Sequence, residues 1–331
     1  MKKLSLLLIG LLLVPTLFLT SCDEGDDLGV DVAPAFTLMK DYMINNNLDI
    51  DKILTSTSGA KFVVGAPAEA DLQTFLNKYY IIDIRSAADY EKGHIQGAKN
   101  VAFGNILAEG TAAGSKPVLV VCYTGQTACY ATALMRMYGF SNTQALKWGM
   151  SGWNETTAGS WNNNIGNEAD GHANWSYGAE PSKQVYDEPT LSSLSTDGGA
   201  ILKSRVEAAV ADGFKTAKGT DVLNSPTGYF INNYFSAADY SAFGHIAGAY
   251  RINPLTLADN SYKNIDPEAK VVIYCYTGQT SAVVTACLRV LGYDAYSLTF
   301  GMNGLYNSNS AWASNQWGVD SNPKNLPLVV N

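Results

Sequence analysis

Cysteine is scarce in this chain, with five among 331 residues, and histidine is scarcer, with three. None of them falls in a CxxC or HExxH spacing, which argues against a dedicated zinc site. Basic residues are also few: 22 Lys and Arg face 30 Asp and Glu, giving a formal net charge of −8 and a pI near 4.9. A phosphate-backbone partner needs a basic stripe, so nucleic-acid binding is not expected. What remains is ordinary for a chain that buries a core, with 47% hydrophobic and 16% charged residues. The length predicts two domains, because single cores rarely grow far beyond ~250 residues.

The amino terminus sets the compartment. Lys2 and Lys3 precede the apolar run Leu4–Leu19, which carries Pro15 and falls short of the ~20 apolar residues of a spanning helix. "LTSC" at Leu19–Cys22 resembles a bacterial lipobox. That resemblance implies a signal peptide over residues 1–21, cleavage before Cys22, and lipid on the Cys22 sulfur and the new amino terminus. An ordinary secretory signal and an uncleaved anchor are the competing readings. Two or more acyl chains would hold the mature protein on a membrane of the cell envelope, on a periplasmic or surface-facing side. Residues 22–34 are acidic, contain Gly and Pro, and lack periodicity, so they read as a tether.

A duplication organises the rest. "SAADYEKGHIQGA" (Ser86–Ala98) returns as "SAADYSAFGHIAGA" (Ser236–Ala249), and "CYTGQT" occurs at Cys122–Thr127 and again at Cys275–Thr280. "KWGMSGWN" (Lys147–Asn154) returns as "TFGMNGLYN" (Thr299–Asn307). Order and spacing are kept, so the unit is a domain of roughly 130 residues, not a solenoid repeat of ~20–50. Domain 1 is placed at 35–165, a polar linker at 166–190 and domain 2 at 191–331.

Each unit alternates strand and helix. "YYIIDI" and "PVLVVC" read as buried strands, "SAADY" as a helix start with a serine cap, and "ACYATALMRMYG" as a helix stopped by glycine. "TQALKWG" is a further strand, and "GGAILKSRVEAAVADG" (Gly198–Gly213) opens domain 2 as a helix. Strands separated by helices predict an α/β fold: two mainly parallel sheets, each flanked by helices on both faces. The Trp- and Asn-rich stretches after each unit read as tails pinned by aromatics onto their own domains, with carbohydrate binding as the alternative.

Cys122 and Cys275 each stand between a buried strand and a helix N-terminus. Open parallel sheets bind ligands at that end, and the helix offers free N–H groups that lower a thiol pKa from ~8.5 toward ~7. The glycines in the loops (Tyr123, Thr124, Gly125, Gln126, Thr127; Tyr276, Thr277, Gly278, Gln279, Thr280) allow a tight turn whose N–H groups form an anion nest. Thr127 and Thr280 are candidate caps for the following helices. A tyrosine-phosphatase site needs Cys-x5-Arg, but Ala128 and Ser281 hold that place.

These residues resemble the rhodanese family of sulfurtransferases, through Asp83–Arg85, "GHIxGA", the strand–Cys–loop–helix and the "GM.GW" turn, taken in order and twice. The resemblance implies tandem rhodanese-like domains in which Cys122 and Cys275 are nucleophiles. They would take sulfane sulfur from thiosulfate or another persulfide donor, hold it as a persulfide, and pass it to a thiophilic acceptor such as a thiol. No metal or organic cofactor is implied. Many members carry a cation in the loop, where this chain has Tyr123 and Tyr276. Asn233 and Phe235 replace Asp83 and Arg85 in the second unit, which favours Cys122 over Cys275. Asp83 and Arg85 read as a structural pair near the site. His94 and His245 read as turn histidines, and Cys129 and Cys287 as core residues rather than resolving thiols. A thiol-redox protein and a non-catalytic rhodanese binding module remain as alternatives.

Overall fold

The computed structural model describes residues 33–56 and 59–330. The leader, Cys22 and the tether through Val32 lie outside the described residues. Two helices, α1 (Ala35–Asn45) and α2 (Ile50–Leu54), lead into the first repeat. That repeat runs β1 (Val63–Val64), α3 (Leu72–Lys78), β2 (Tyr80–Asp83), α4 (Ala87–Lys92), β3 (Lys99–Asn100), α5 (Ile106–Ala112) and β4 (Val118–Val121). It continues with α6 (Gln126–Tyr138), β5 (Gln144–Leu146), α7 (Gly149–Trp153) and α8 (Gly159–Asn162). After β6 (Trp175–Ser176) come α9 (Gly198–Asp212), β7 (Thr216–Ala217), α10 (Gly219–Asn224), β8 (Phe230–Asn233), α11 (Ala237–Phe243) and β9 (His245–Ile246). The second repeat ends with β10 (Val271–Tyr274), α12 (Gln279–Leu291), β11 (Ala295–Leu298) and α13 (Gly301–Tyr306).

Both main sheets are parallel throughout, in the order β1-β5-β4-β2-β3 and β7-β11-β10-β8. A parallel bridge between Asn232 and Tyr250 stands where β3 pairs in the first sheet. The central strands, "VLVV" and "VVIY", are buried at every residue, because helices cover both faces. Side chains alternate between those faces. Val118 and Val120 join the core between the two sheets, whereas Leu119 and Val121 pack outward on Met150 and Trp153 of α7.

One apolar core is shared by the two repeats. It takes Leu134 from α6, Val284 and Leu288 from α12, Val206 from α9, and Met39 and Met43 from α1. The leading helices are part of this joint. Asp49 caps α2 by accepting from Ile50 N, and also accepts from Leu257 N and Ala258 N in the second repeat, at 2.7 and 3.0 Å.

The duplicated "SAADY…GA" segments do the same work twice. Ser86 and Ser236 cap α4 and α11 by accepting from Asp89 N and Asp239 N. Tyr90 and Tyr240 then donate to the Ala98 and Ala249 carbonyls. Helices α6 and α12 stop at Gly139 and Gly292, both at positive φ.

Parts of the segments after each repeat cross to the other unit. Residues 166–176 begin the stretch read as a linker, yet they lie on the second repeat. Gly166 N and Ala169 N donate to Asn303 O and Leu305 O, and β6 pairs antiparallel with β9. His172 bonds Asn224 through Nε2. The carboxy-terminal stretch crosses the other way. Lys324 N and Leu326 N donate to Gly152 O and Trp153 O, the Trp153 indole donates to Pro327 O, and His94 bridges Val329. The aromatics pin the tails partly onto their own unit, as Trp161 on Thr124 and Trp312 on Phe243, and partly onto the opposite one, as Trp153 on Pro327 and Trp175 on Phe243. These backbone donors find their acceptors across the molecule, and nothing in local sequence specifies such a pairing.

Candidate active site

Cys122 follows β4 at its carboxyl end, and α6 begins four residues later. Gly125 is the cap residue of that helix at φ 86°, a left-handed conformation that glycine adopts at no steric cost. The turn points N–H groups at the sulfur. Cys122 Sγ accepts from Gly125 N at 3.2 Å and Ala128 N at 3.3 Å. Thr127 and Thr280 are not the caps expected of them. In both loops the left-handed glycine occupies the cap position, no side-chain cap bond forms, and the threonines fall inside the first turn.

The loop keeps its N–H groups inward because its carbonyls are tied outward. Met150 N takes Cys122 O at 2.9 Å, and both the backbone N–H and the hydroxyl of Ser151 take Tyr123 O. Thr124 O accepts from the Trp161 indole at 3.1 Å. The second site repeats the scheme. Met302 N takes Cys275 O, and Asn303 supplies both its N–H and its Nδ2 to Tyr276 O. These ties require the "GM.G" turn to lie flat on the loop, and a Cβ on Gly149 or Gly301 would overlap the carbonyl of the matching cysteine. The residue before each glycine, Trp148 or Phe300, sits at φ 66° or 61°, a conformation that costs a bulky side chain roughly 1–3 kcal/mol. Such strain at the same place in both units is paid back by the anchored loop.

Neither sulfur is open to solvent in this state. Cys122 is 3% exposed and Cys275 1%. Burial pushes the Cys122 thiol up, against the pull of the loop N–H groups of Ala128, Thr124 and Gly125. The low thiol pKa expected from the helix terminus is therefore not met at Cys122 in the closed loop, because desolvation outweighs the N–H groups.

Asp83 and Arg85 form a buried, forked ion pair, with Nη2 to Oδ2 at 2.7 Å and Nε within 3.1 Å of both carboxylate oxygens. Arg85 also donates to Gly93 O, and its guanidinium lies 5.8 Å from the centre of the Tyr123 ring. In the second unit Phe235 takes that place and stacks on Tyr276 at 4.3 Å and 9°. Asn233 keeps one part of the arrangement: its Oδ1 accepts from Phe235 N as Asp83 Oδ1 accepts from Arg85 N. Its Nδ2 is buried without a hydrogen bond.

The tyrosine after each cysteine has a defined partner. Tyr123 donates to Asp89 at 2.6 Å, and Tyr276 donates to Asp239. Both carboxylates belong to the "SAADY" segments, so the two repeated motifs meet at the loop. The Tyr123 hydroxyl, with Ser86 and Lys92, holds the Asp89 carboxyl well below the usual carboxylate range. Beside Tyr276 a cleft of about 170 Å³ is lined by Asp239, Phe243, Ala313, Ser314 and Asn315. Lys147 of the first unit donates to Asn315 Oδ1, bringing a half-buried cation toward that cleft.

His94 and His245 stack on Tyr90 and Tyr240 and bond their carbonyls through Nδ1. Cys129 and Cys287 are fully buried and unpaired, in the core of α6 and α12. Sequence reasoning missed Ser151, Trp161, Lys147 and the pairing of Tyr123 and Tyr276 with the "SAADY" aspartates. Only the last left a signal, since each Tyr and Asp recur together in both repeats.

A parallel α/β unit with a cysteine in an N–H-lined loop after its central strand, present twice, defines a class. The model of the rhodanese-like domain matches residues 68–156 and 235–308. A thiosulfate sulfurtransferase GlpE of Shewanella oneidensis is 35% identical over 79 residues, which cover 24% of this chain and 78% of that protein. A protein of the same name from Pseudomonas fluorescens is 38% identical over 77 residues, covering 23% of this chain and 71% of that protein. Among solved structures, a thiosulfate sulfurtransferase from Pseudomonas aeruginosa aligns over 86% of this chain and 49% of its own, with 16% identity and a TM-score of 0.29. A rhodanese-related protein from Thermoplasma volcanium aligns over 36% of this chain and all of its own, with 17% identity and a TM-score of 0.25. The chain belongs to the rhodanese family, as two tandem rhodanese-like domains.

Proposed function

We propose that this chain is a sulfurtransferase of the cell envelope, anchored by lipid at Cys22, which carries sulfane sulfur as a persulfide on Cys122 and, less readily, on Cys275. In the first step a Cys122 thiolate attacks the sulfane sulfur of thiosulfate or of a persulfide. A new S–S bond forms, the donor's S–S bond breaks, and sulfite or a thiolate leaves with the electron pair. A thiolate or cyanide then attacks the outer sulfur, and the Cys122 thiolate departs. The observation that carries this reading is the Cys122 sulfur facing Gly125 N–H and Ala128 N–H at the end of the central strand. The same donors would stabilise the anionic outer sulfur.

The sealed loop must open to admit a donor. Opening hydrates the sulfur, removes the desolvation that raises the Cys122 thiol, and leaves the helix terminus to favour thiolate. With Asp89 paired to Lys92 and no cation in the loop itself, a small dianion finds little beyond the loop N–H groups to attract it at this mouth. A neutral or protein-bound persulfide is therefore the better donor class. The relatives named for thiosulfate support the reaction type.

The test is sulfur transfer to cyanide, from thiosulfate and from a low-molecular-weight persulfide, by the parent and by C122S, C275S and the double variant. Loss of a nucleophile is expected to cost about a thousandfold or more in the double variant. C122S should lose most of the activity and C275S less. Activity that survives in the double variant refutes the nucleophile assignment and leaves a binding module.

A further inference from the structure

The side chains of Gln126 and Gln279 do not face the cysteines of their own loops. Both are 3% exposed, and each reaches across the boundary between the repeats. Gln126 Oε1 accepts from Phe300 N at 2.8 Å. Phe300 begins the turn whose next N–H groups, from Met302 and Asn303, hold the Cys275 and Tyr276 carbonyls. In return Gln279 Nε2 donates to Thr124 O at 3.4 Å, the carbonyl that also takes the Trp161 indole. Gln126 Nε2 donates to Thr124 Oγ1 at 3.1 Å, so Thr124 is held from both repeats. The two loops meet closely enough that a Cβ on Gly278 would overlap the Gln126 amide. Trp148, Trp161, Trp317 and Phe300 pack together at this junction. Buried hydrogen bonds of this kind are stronger than exposed ones and costly to leave half-made.

We infer that Gln126 and Gln279 are positioning residues that couple the two cysteine loops: each glutamine supports the cysteine of the opposite repeat. Opening the first loop to a donor withdraws Gln126 from Phe300 and loosens the cradle of Cys275. Opening the second withdraws Gln279 from Thr124 and loosens that of Cys122. The coupling rests on the loops being the reactive sites proposed above, yet it is measurable without any sulfur chemistry. Because both sulfurs are sealed, their reaction with a small alkylating agent reports loop opening.

The experiment follows iodoacetamide alkylation of each cysteine by peptide mass spectrometry in the parent, Gln126→Met and Gln279→Met. Methionine keeps the volume and removes the hydrogen bonds. In Q126M, Cys275 is expected to react roughly five- to tenfold faster, the size of one lost buried hydrogen bond. Q279M should speed Cys122. Cys129 and Cys287, fully buried in helices, remain protected unless the chain unfolds. If they react in Q126M, Q279M decides: faster Cys122 there supports the coupling, and an unchanged Cys122 overturns it. A Q126M chain that keeps Cys129 protected and leaves Cys275 at the parent rate also overturns it. Intact coupling in a chain without sulfur transfer would refute the proposed reaction alone.

Discussion

The two cysteine loops have one sequence and one backbone scheme, but different walls. Behind Cys122 stands a charged, fully buried fork of Asp83 and Arg85, and Tyr123 is 37% exposed above it. Behind Cys275 stand Asn233 and Phe235, and Tyr276 is drawn down onto the Phe235 ring. The sulfurs differ too. Cys122 takes N–H groups from Gly125 and Ala128, whereas Cys275 takes the Ser281 N–H and lies 3.6 Å from its hydroxyl. Duplication thus preserved what shapes the loop and let its supports diverge. A cradle can be held by an ion pair or by an aromatic stack, provided the outward carbonyls stay tied.

That comparison is sharpest where the supports are exchanged. Arg85→Ala strips one partner from a buried ion pair and leaves a carboxylate without its cation, at a cost of about 3–5 kcal/mol. The double change Asp83→Asn with Arg85→Phe instead copies the second unit, whose Asn233 Oδ1 still accepts from Phe235 N. It is expected to stay within about 1 kcal/mol of the parent, because both charges go together. Denaturant melts of the two variants decide. If the double change is as damaging as Arg85→Ala, the two walls are not interchangeable.

Exchanging the tyrosines gives a smaller effect. Tyr276→Arg removes a half-buried ring from Phe235 and should cost about 1–3 kcal/mol. Tyr123→Arg, at the exposed position, should stay within about 0.5 kcal/mol. It also places a cation beside Asp89, at the mouth of the first site. A lower KM for thiosulfate in Y123R, with turnover of a neutral persulfide unchanged, is the expected result. An unchanged KM would show that loop charge does not set the donor.

Much of this architecture was readable in the chain. The strands "VLVV" and "VVIY" are apolar at every position, which only a sheet covered on both faces requires. Ser86 and Ser236 announced their helices, because capping is decided within a few residues. Thr127 misled for the same local reason. Threonine is a good cap, but a left-handed glycine two residues earlier had already ended the turn. The exchange of tails, the Trp161 indole on Thr124 and the crossed glutamines join residues far apart in sequence. No local preference encodes them: the tails and the glutamines are satisfied only once the repeats have packed, and the indole bond only once the first repeat has folded. The protonated state favoured at Cys122 escaped for a related reason: helix position is local, and desolvation is set by the whole fold.

The most direct test of the account is site-resolved mass spectrometry of the chain after exposure to a sulfane-sulfur donor and removal of excess reagent. The expected result is a gain of one sulfur atom on Cys122, less on Cys275, none on Cys129 or Cys287, and its loss on adding cyanide. Sulfur transfer that proceeds while neither Cys122 nor Cys275 ever carries the added atom would contradict it.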